Sequence, residues 1–434
     1  MGETTTDLLI TGATRVGGLA DEGGDLLVRD GVLLDPAEAG RDGSRELVRI
    51  DADGLLAVPG LVDLHCHLRE PGREDAETVA TGAAAAARGG FTAVLAMANT
   101  VPVTDTAEAA RHVRALGEQA GLGAVVPIGA VSKGLDGQEL AELGLMARTG
   151  VRVFSDDGHC VSDARLMRRA LEYVRAFDGV IAQHAQDPRL AGPDACCHEG
   201  EVSGRLGLAG WPAAAESTII ARDVQLAALT RSRLHVCHVS TAESVEVLRW
   251  AKQRYPQADI TAEVTPHHLL LTTDLLAGYD PTFKVNPPLR PAEDVEAVRA
   301  ALADGTIDAV ATDHAPHARH DKEHAFADAA FGMVGLETAL GVVVETMVRT
   351  GLADWERVVE ATSTTPARIA RLTDQGRRLA VGAPATLTLV DPTARAVVDA
   401  ADTRSLSRNN PWHGRELPDP VVATVAAGRL TYRR

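Results

Sequence analysis

Between residues 61 and 312 the chain alternates eight short, β-rich apolar runs with stretches of helical length, and this alternation constrains the fold most. The runs occupy 61–67, 91–98, 124–131, 151–155, 180–185, 234–239, 260–265 and 309–312. They are apolar nearly throughout, as in strands buried on both faces of a parallel sheet. The stretches between them carry Ala-rich or amphipathic helical patterns, for example 76–88 closing on Gly89-Gly90, 106–120 closing on Gly121, and 213–232. Strands alternating with helices predict βαβ units, and eight such units predict a (β/α)8 TIM-like barrel. An open doubly wound sheet competes with it, but no phosphate-binding Gly-rich turn follows the first run.

Both ends read differently. Three strand-like pieces open the chain at 7–11, 25–34 and 46–50, with turns at Asp30-Gly31 and Asp53-Gly54. Two more lie at 385–390 and 421–433, the second broken at Gly428-Arg429. Isolated hairpins are marginal in water, so the two ends are expected to join into one small β-sandwich domain. The predicted organisation is 1–58 and 375–434 for that domain, flanking a barrel over 59–374.

A chain of 434 residues buries a large core. Its formal net charge of −17 argues against nucleic acid or an anionic membrane as partner, since both need a basic footprint. No leader segment and no membrane-spanning run is read in the sequence, so a soluble, cytoplasmic protein is expected. Cys66, Cys160, Cys196, Cys197 and Cys237 form no CxxC pair and read as reduced thiols. Cys66 and Cys237 each neighbour a histidine and alternate away from it, which suits packing.

The chemistry gathers at the ends of the predicted strands, where barrel enzymes place their catalytic groups. His65 and His67 end the first run; two residues apart on a strand, they project to one side. Asp156 and Asp157 follow the fourth, His184 ends the fifth, His238 the sixth and Asp313 the eighth. Singly, each has a plain structural explanation, such as a satisfied core histidine or an Asx turn. Together on one rim they predict a metal site. Imidazole and carboxylate suit zinc and similar ions. Four histidines and two carboxylates exceed the needs of one tetrahedral ion, so two ions sharing a bridging carboxylate and a water are expected. Two divalent charges lower the pKa of that water towards neutrality. Asp313 would serve as general base, then as acid towards a leaving nitrogen.

Val62-Asp63-Leu64-His65-Cys66-His67-Leu68-Arg69-Glu70-Pro71-Gly72 resembles the signature of dihydroorotases in the cyclic-amidohydrolase superfamily. Ala311-Thr312-Asp313-His314-Ala315-Pro316-His317 looks like their second signature. The resemblance continues through Asn99-Thr100, Phe154-Ser155-Asp156-Asp157-Gly158, Thr265-Pro266-His267-His268-Leu269 and Lys284-Val285-Asn286-Pro287-Pro288-Leu289-Arg290. Many cyclic amidohydrolases bridge their metals with a carboxylated lysine after the fourth strand; no lysine lies in 151–158. The type I dihydroorotase branch uses an aspartate there, and the resemblance points to Asp157, which spacing alone does not separate from Asp156. It further implies two Zn2+ per chain, one on His65, His67 and Asp157 and one on Asp157, His184 and His238, with Asp313 beside the first. Substrate contacts are implied at His67, Arg69, Asn99, Asn286 and His317, and at the backbone of Phe331-Gly332. Arg69 has a rationale of its own, because a planar guanidinium grips a carboxylate in two places; an ordinary surface salt bridge is the plain alternative. The family commonly has Met-Pro-Asn-Thr where this chain has Met97-Ala98-Asn99-Thr100, a departure that bears on the loop carrying Asn99. Residues 317–331 read equally well as a solvated loop or as a mobile flap over substrate.

The activity implied is reversible cyclisation of N-carbamoyl-L-aspartate to L-dihydroorotate, a step of pyrimidine (UMP) biosynthesis. Closure starts from protonated Asp313 and is expected to be favoured at lower pH than opening. A dihydropyrimidinase-, hydantoinase- or allantoinase-like enzyme is the first alternative; those relatives generally carry the missing lysine, and their substrates lack the carboxylate that Arg69 would hold. An inactive structural partner of aspartate carbamoyltransferase is the second, and it should show gaps among the ligands. Homo-oligomerisation, or association with a carbamoyltransferase, stays open.

Overall fold

The computed structural model describes residues 6–17, 24–40 and 45–434. Residues 1–5, 18–23 and 41–44, which fall within the expected N-terminal β portion, lie outside the described residues, and the reading of no leader rests partly on them. All eight runs form strands: β1 (Leu61–Cys66), β2 (Phe91–Ala96), β3 (Ala124–Pro127), β4 (Val153–Phe154), β5 (Val180–Gln183), β6 (Arg233–Val236), β7 (Ile260–Val264) and β8 (Ala309–Val310). Neighbours pair in parallel within β1–β3 and within β4–β8. Isolated parallel bridges join the two sets, Gly129 to Phe154 at one edge and Cys66 to His314 at the other.

A helix lies in each connection: α1 (Val79–Arg88), α2 (Ala107–Ala120), α3 (Leu143–Arg148), α4 (Ala164–Val174), α5 (Ala214–Thr230), α6 (Ala242–Arg254) and α7 (Ala292–Asp304). The sequence reading starts α1 three residues early, because Thr78 caps it. The Thr78 hydroxyl accepts from the Thr81 amide while Thr81 Oγ1 accepts from the Thr78 amide, so the helix cannot extend backwards. Thr106 caps α2, and Gly121 at φ 66° ends it in the left-handed conformation that glycine adopts without penalty. Alternate strand residues face two cores. Val62, Leu64, Ala93, Leu95, Val153, Val180, Ala182 and Ala309 pack with one another, whereas Leu61, Val94, Leu234, Val236 and Ile260 pack against helices.

Strands from the two ends of the chain pair with each other. One sheet runs Val32–Leu34, Leu26–Arg29, Thr6–Thr11, Glu46–Asp51; a second runs Thr14–Arg15, Leu56–Pro59, Leu387–Val390, Val421–Ala426, Arg429–Arg433. Leu56–Pro59 pairs antiparallel with Leu387–Val390, stitching the N-terminal part to the C-terminal one. Leu8, Ile10, Val28 and Ile50 of the first sheet share a buried cluster with Ala57, Leu387, Leu389 and Val425 of the second. Among the described residues no helix is long and apolar enough to cross a membrane, and all five cysteines are free.

Candidate active site

Parallel strands that share one direction bring their C-terminal ends to one rim, and the singled-out side chains project from it. Asp157 lies at the centre, and its two carboxylate oxygens face different partners. Oδ2 is 3.3 Å from His65 Nε2 and 3.4 Å from His67 Nε2. Oδ1 is 3.1 Å from His184 Nδ1 and 3.2 Å from His238 Nε2. Asp313 Oδ1 closes the first group, 3.1 Å from His67 Nε2 and 3.5 Å from His65 Nε2. Asp156 points elsewhere: its carboxylate accepts from the amides of Val131 and Ser132 at 2.8 and 2.9 Å and from the Ser132 hydroxyl, so it caps a loop.

The outer nitrogens of three of these rings are committed. His65 Nδ1–H donates to Glu263 Oε1 at 2.8 Å, His67 Nδ1–H to Asn99 Oδ1 at 2.9 Å, and His184 Nε2–H to Gln186 Oε1 at 2.8 Å. These bonds orient the three rings and turn their inner nitrogens towards Asp157. His184 Nδ1 and His238 Nε2 face each other at 2.9 Å. His65 Nε2 is buried with no hydrogen-bond partner. Ligands about 2.0–2.1 Å from a tetrahedral ion stand roughly 3.3 Å apart, the spacing of these donor atoms. The residues therefore fit two adjoining sets able to hold a divalent cation: His65, His67, Asp157 and Asp313, and Asp157, His184 and His238.

Burial works against ionised Asp157, yet His65 and the bonds from His184 and His238 hold its carboxyl well below the usual carboxylate range. Asp313 is likewise depressed against its burial by His65 and His67. His65 is raised well above an ordinary imidazole, the pull of Asp157 and Asp313 overcoming burial. His238 and Asp313 sit at φ 33° and 45°, and Arg69 at φ 61°, left-handed conformations that cost of order 1–3 kcal/mol each. Asp63 helps to hold that strain at Asp313, accepting from the Thr312 amide at 2.8 Å and the Thr312 hydroxyl at 2.6 Å.

Around this centre lie the other residues singled out in the sequence. Arg69 donates to Pro316 O at 3.0 Å, approaches His317 Nε2 at 3.3 Å, and has no carboxylate partner among the described residues. Burial pushes its guanidinium down to about 10. His317 Nε2–H donates to Phe331 O at 2.7 Å, and Gly332 follows at φ +135°, where a Cβ would stand 2.7 Å from Ala315 Cβ. Asn286 donates to Gln186 Oε1 at 2.8 Å, leaving its own Oδ1 buried and unpartnered. A cavity of about 420 Å³ opens beside Gln186, Trp211, Asn286 and Phe331. The loop of Asn99 lacks the usual proline but is held by Thr100 Oγ1, which bonds Pro102 O at 2.8 Å and Thr104 Oγ1 at 3.0 Å.

The dihydro-orotase-like family profile matches residues 54–244. A dihydroorotase of Streptomyces coelicolor is 57% identical over 98% of this chain and 97% of its own length. The chain belongs to the dihydroorotase family. Dihydroorotases of Leifsonia xyli and Mycobacterium tuberculosis are 61% and 56% identical, each over 88% of this chain and over 87% and 89% of their own lengths. Among solved structures, L-hydantoinase of Arthrobacter aurescens superposes with a TM-score of 0.85 at 27% identity, over 98% of this chain and 96% of that one. Dihydropyrimidinase of Brevibacillus agri gives a TM-score of 0.84 over 99% and 95%; at 21% identity this is a likeness of fold. Within this dihydroorotase-family chain, sequence reasoning missed Glu263 and Gln186. Glu263, a lone acid in the apolar run Ile260-Thr261-Ala262-Glu263-Val264, carried a legible signal, since a buried charge needs a partner. Gln186 carried none. Cys237, read as packing, also lies against His65 and Glu263.

Proposed function

We propose that this chain is a zinc-dependent dihydroorotase of the type I branch, interconverting N-carbamoyl-L-aspartate and L-dihydroorotate in pyrimidine synthesis. The observation that carries the reading is Asp157, whose two oxygens divide between two imidazole groups at the place where many cyclic amidohydrolases carry a carboxylated lysine. The paired edges of β1–β8 support a closed (β/α)8 barrel over 59–374, and the shared core of the two terminal sheets supports a β-sandwich from 1–58 and 375–434. His65, His67 and Asp157 would hold one Zn2+, and Asp157, His184 and His238 a second. Such ions supply Lewis acidity and lower the pKa of water.

The chain's own groups do the rest. Asp313, held as carboxylate beside His67, accepts the proton of the attacking water during ring opening and delivers it to the departing ring nitrogen. Closure runs the same path backwards and starts from protonated Asp313. Arg69, half-buried and without an anionic partner among the described residues, takes the substrate carboxylate with its planar fork. The unpartnered Oδ1 of Asn286 suits a ring N–H, and the Phe331–Gly332 backbone borders the ring with His317.

A hydantoinase-like activity draws support from the likeness to L-hydantoinase, but Arg69, with no carboxylate partner among the described residues, counts against a substrate lacking a carboxylate. An inactive scaffold is disfavoured by the complete ligand set. The test is turnover of L-dihydroorotate by zinc-supplied protein, followed by ultraviolet absorbance beside a chelator-stripped control. Metal-dependent loss of dihydroorotate supports the reading. Greater activity on hydantoin or dihydrouracil would replace it, and no turnover without bound metal would return the scaffold reading.

A further inference from the structure

Residues 317–332 run beside the site, held there by His317 on Phe331 O, by Asn409 Nδ2 on Gly332 O at 3.2 Å and, at the most points, by Lys322. The helical turn Arg319–Lys322 directs the Lys322 ammonium inward. There it meets three backbone carbonyls, Ala330 O at 2.7 Å, Gly332 O at 3.0 Å and Lys284 O at 3.4 Å. An ammonium has three N–H donors and no acceptor, so its capacity matches these three carbonyls. No carboxylate pairs with it among the described residues. The carbonyls belong to two separate stretches of chain, 330–332 and the approach to Asn286. Gly332 N donates to Lys284 O at 2.9 Å. Lys284 Nζ in turn donates to Ala327 O at 2.7 Å and lies 4.3 Å from the centre of the Phe331 ring. On its outer side Lys322 borders a second cavity of about 740 Å³, shared with His317 and Asn409, so the segment has open space on that side. Phe326, buried against Cys196, Cys197 and Leu276, is the segment's apolar anchor.

We propose that Lys322 is a positioning residue for substrate: by tying the carbonyls of Ala330, Gly332 and Lys284 together, it fixes the Phe331–Gly332 backbone and the Asn286 segment at the spacing at which both meet the ring. It does not itself touch substrate. A methionine would fill the same space while leaving three carbonyls without their common donor. A glutamine would restore at most two donors on a shorter stem. The substrate half of the inference rests on the dihydroorotase reading; the strap does not.

The experiment uses the full-length, zinc-loaded protein as wild type, K322M and K322Q. Metal content, steady-state kinetics with L-dihydroorotate and hydrogen–deuterium exchange of the 329–334 backbone are measured on each. K322M is expected to keep its metal and a kcat within about twofold, while KM rises roughly tenfold, the scale of one charged hydrogen bond. A rise in KM at constant kcat is the mark of lost ground-state positioning. Exchange should quicken at 329–334 and stay unchanged in β1–β8, with K322Q intermediate in both readouts. Unchanged KM together with unchanged local exchange overturns the proposal, and so does a fall in kcat that accounts for the whole loss of kcat/KM. Should K322M lose its fold by circular dichroism, K322Q carries the same test alone. If the wild type does not turn over dihydroorotate, the functional reading fails, and the exchange experiment still decides the strap.

Discussion

Replacing Glu263 separates the geometry of the site from its charge. Its Oε1 accepts from His65 Nδ1 at 2.8 Å and its Oε2 from His235 Nε2 at 2.9 Å, and the side chain is fully buried. The two imidazoles hold its carboxyl down at about 2 against burial, so it is ionised at any working pH. In E263Q the amide carbonyl can still receive the His65 N–H. His235 can change tautomer, donating from Nδ1 to Thr261 Oγ1, 2.8 Å away, and accepting the new amide N–H. The geometry survives, and the charge that makes His65 a strong donor to metal does not. Charge-assisted hydrogen bonds are about twice as strong as neutral ones, and removing an outer partner of a metal-bound histidine typically costs 10–100-fold. E263Q should therefore weaken metal binding about tenfold, about 1.4 kcal/mol. E263A, which frees both rings, should reach about 100-fold. Competition against a chelator of known affinity gives the first number, and kcat/KM for dihydroorotate at limiting zinc should follow it. E263Q binding metal within twofold of wild type, at unchanged thermal stability, would refute the reasoning.

Other outcomes follow from the same contacts. D157N removes the one residue common to both candidate ligand sets, so metal content per chain should fall below that of wild type, read by atomic absorption, with turnover lost. D313A should retain its metal yet lose about 10²–10⁴ in turnover, the usual worth of a positioned acid or base; near-normal turnover would remove Asp313 from the role. The pH optimum for ring closure should lie below that for opening, because closure begins with Asp313 protonated; coincident optima in the two directions would count against the assignment. In metal-free protein, Glu263 has a lower pKa folded than unfolded, so its contribution is full above about pH 4.5 and is lost as pH falls towards 2. The stability difference between wild type and E263Q in urea should shrink across that window.

What the sequence made legible follows the range of each signal. The eight strands are readable because burial on both faces writes continuous apolar runs: β1, β2, β4, β5, β7 and β8 lie within two residues of their expected limits, whereas β6 ends three residues short and β3 four. The expected single run at 25–34 is a hairpin, Leu26–Arg29 and Val32–Leu34, turning where Asp30 and Gly31 take positive φ. His65, His67, His184, His238 and Asp313 are legible as a group because each lies within three residues of the end of a strand. Asp156 and Asp157 were inseparable by spacing, since adjacent residues in a loop have no fixed side. Only three-dimensional contact assigns Asp156 to the Ser132 amide and Asp157 to four imidazoles. Lys322 left no mark at all, because its partners are backbone carbonyls, which every residue possesses.

The pairing of Leu56–Pro59 with Leu387–Val390 carries a cost in time. Pro59 faces Leu387, so the strand's partner leaves the ribosome 387 − 59 = 328 residues later. At roughly 5–20 residues per second that interval is about 16–66 s. Throughout it the opening strands offer an unpaired edge and the apolar faces of Leu8, Ile10 and Ala57. All eight central strands emerge earlier and can assemble from neighbours in order. The newborn chain should therefore carry a finished middle and a sticky leading end. C-terminal truncation before residue 387 would make that condition permanent, turning a late folding step into aggregation.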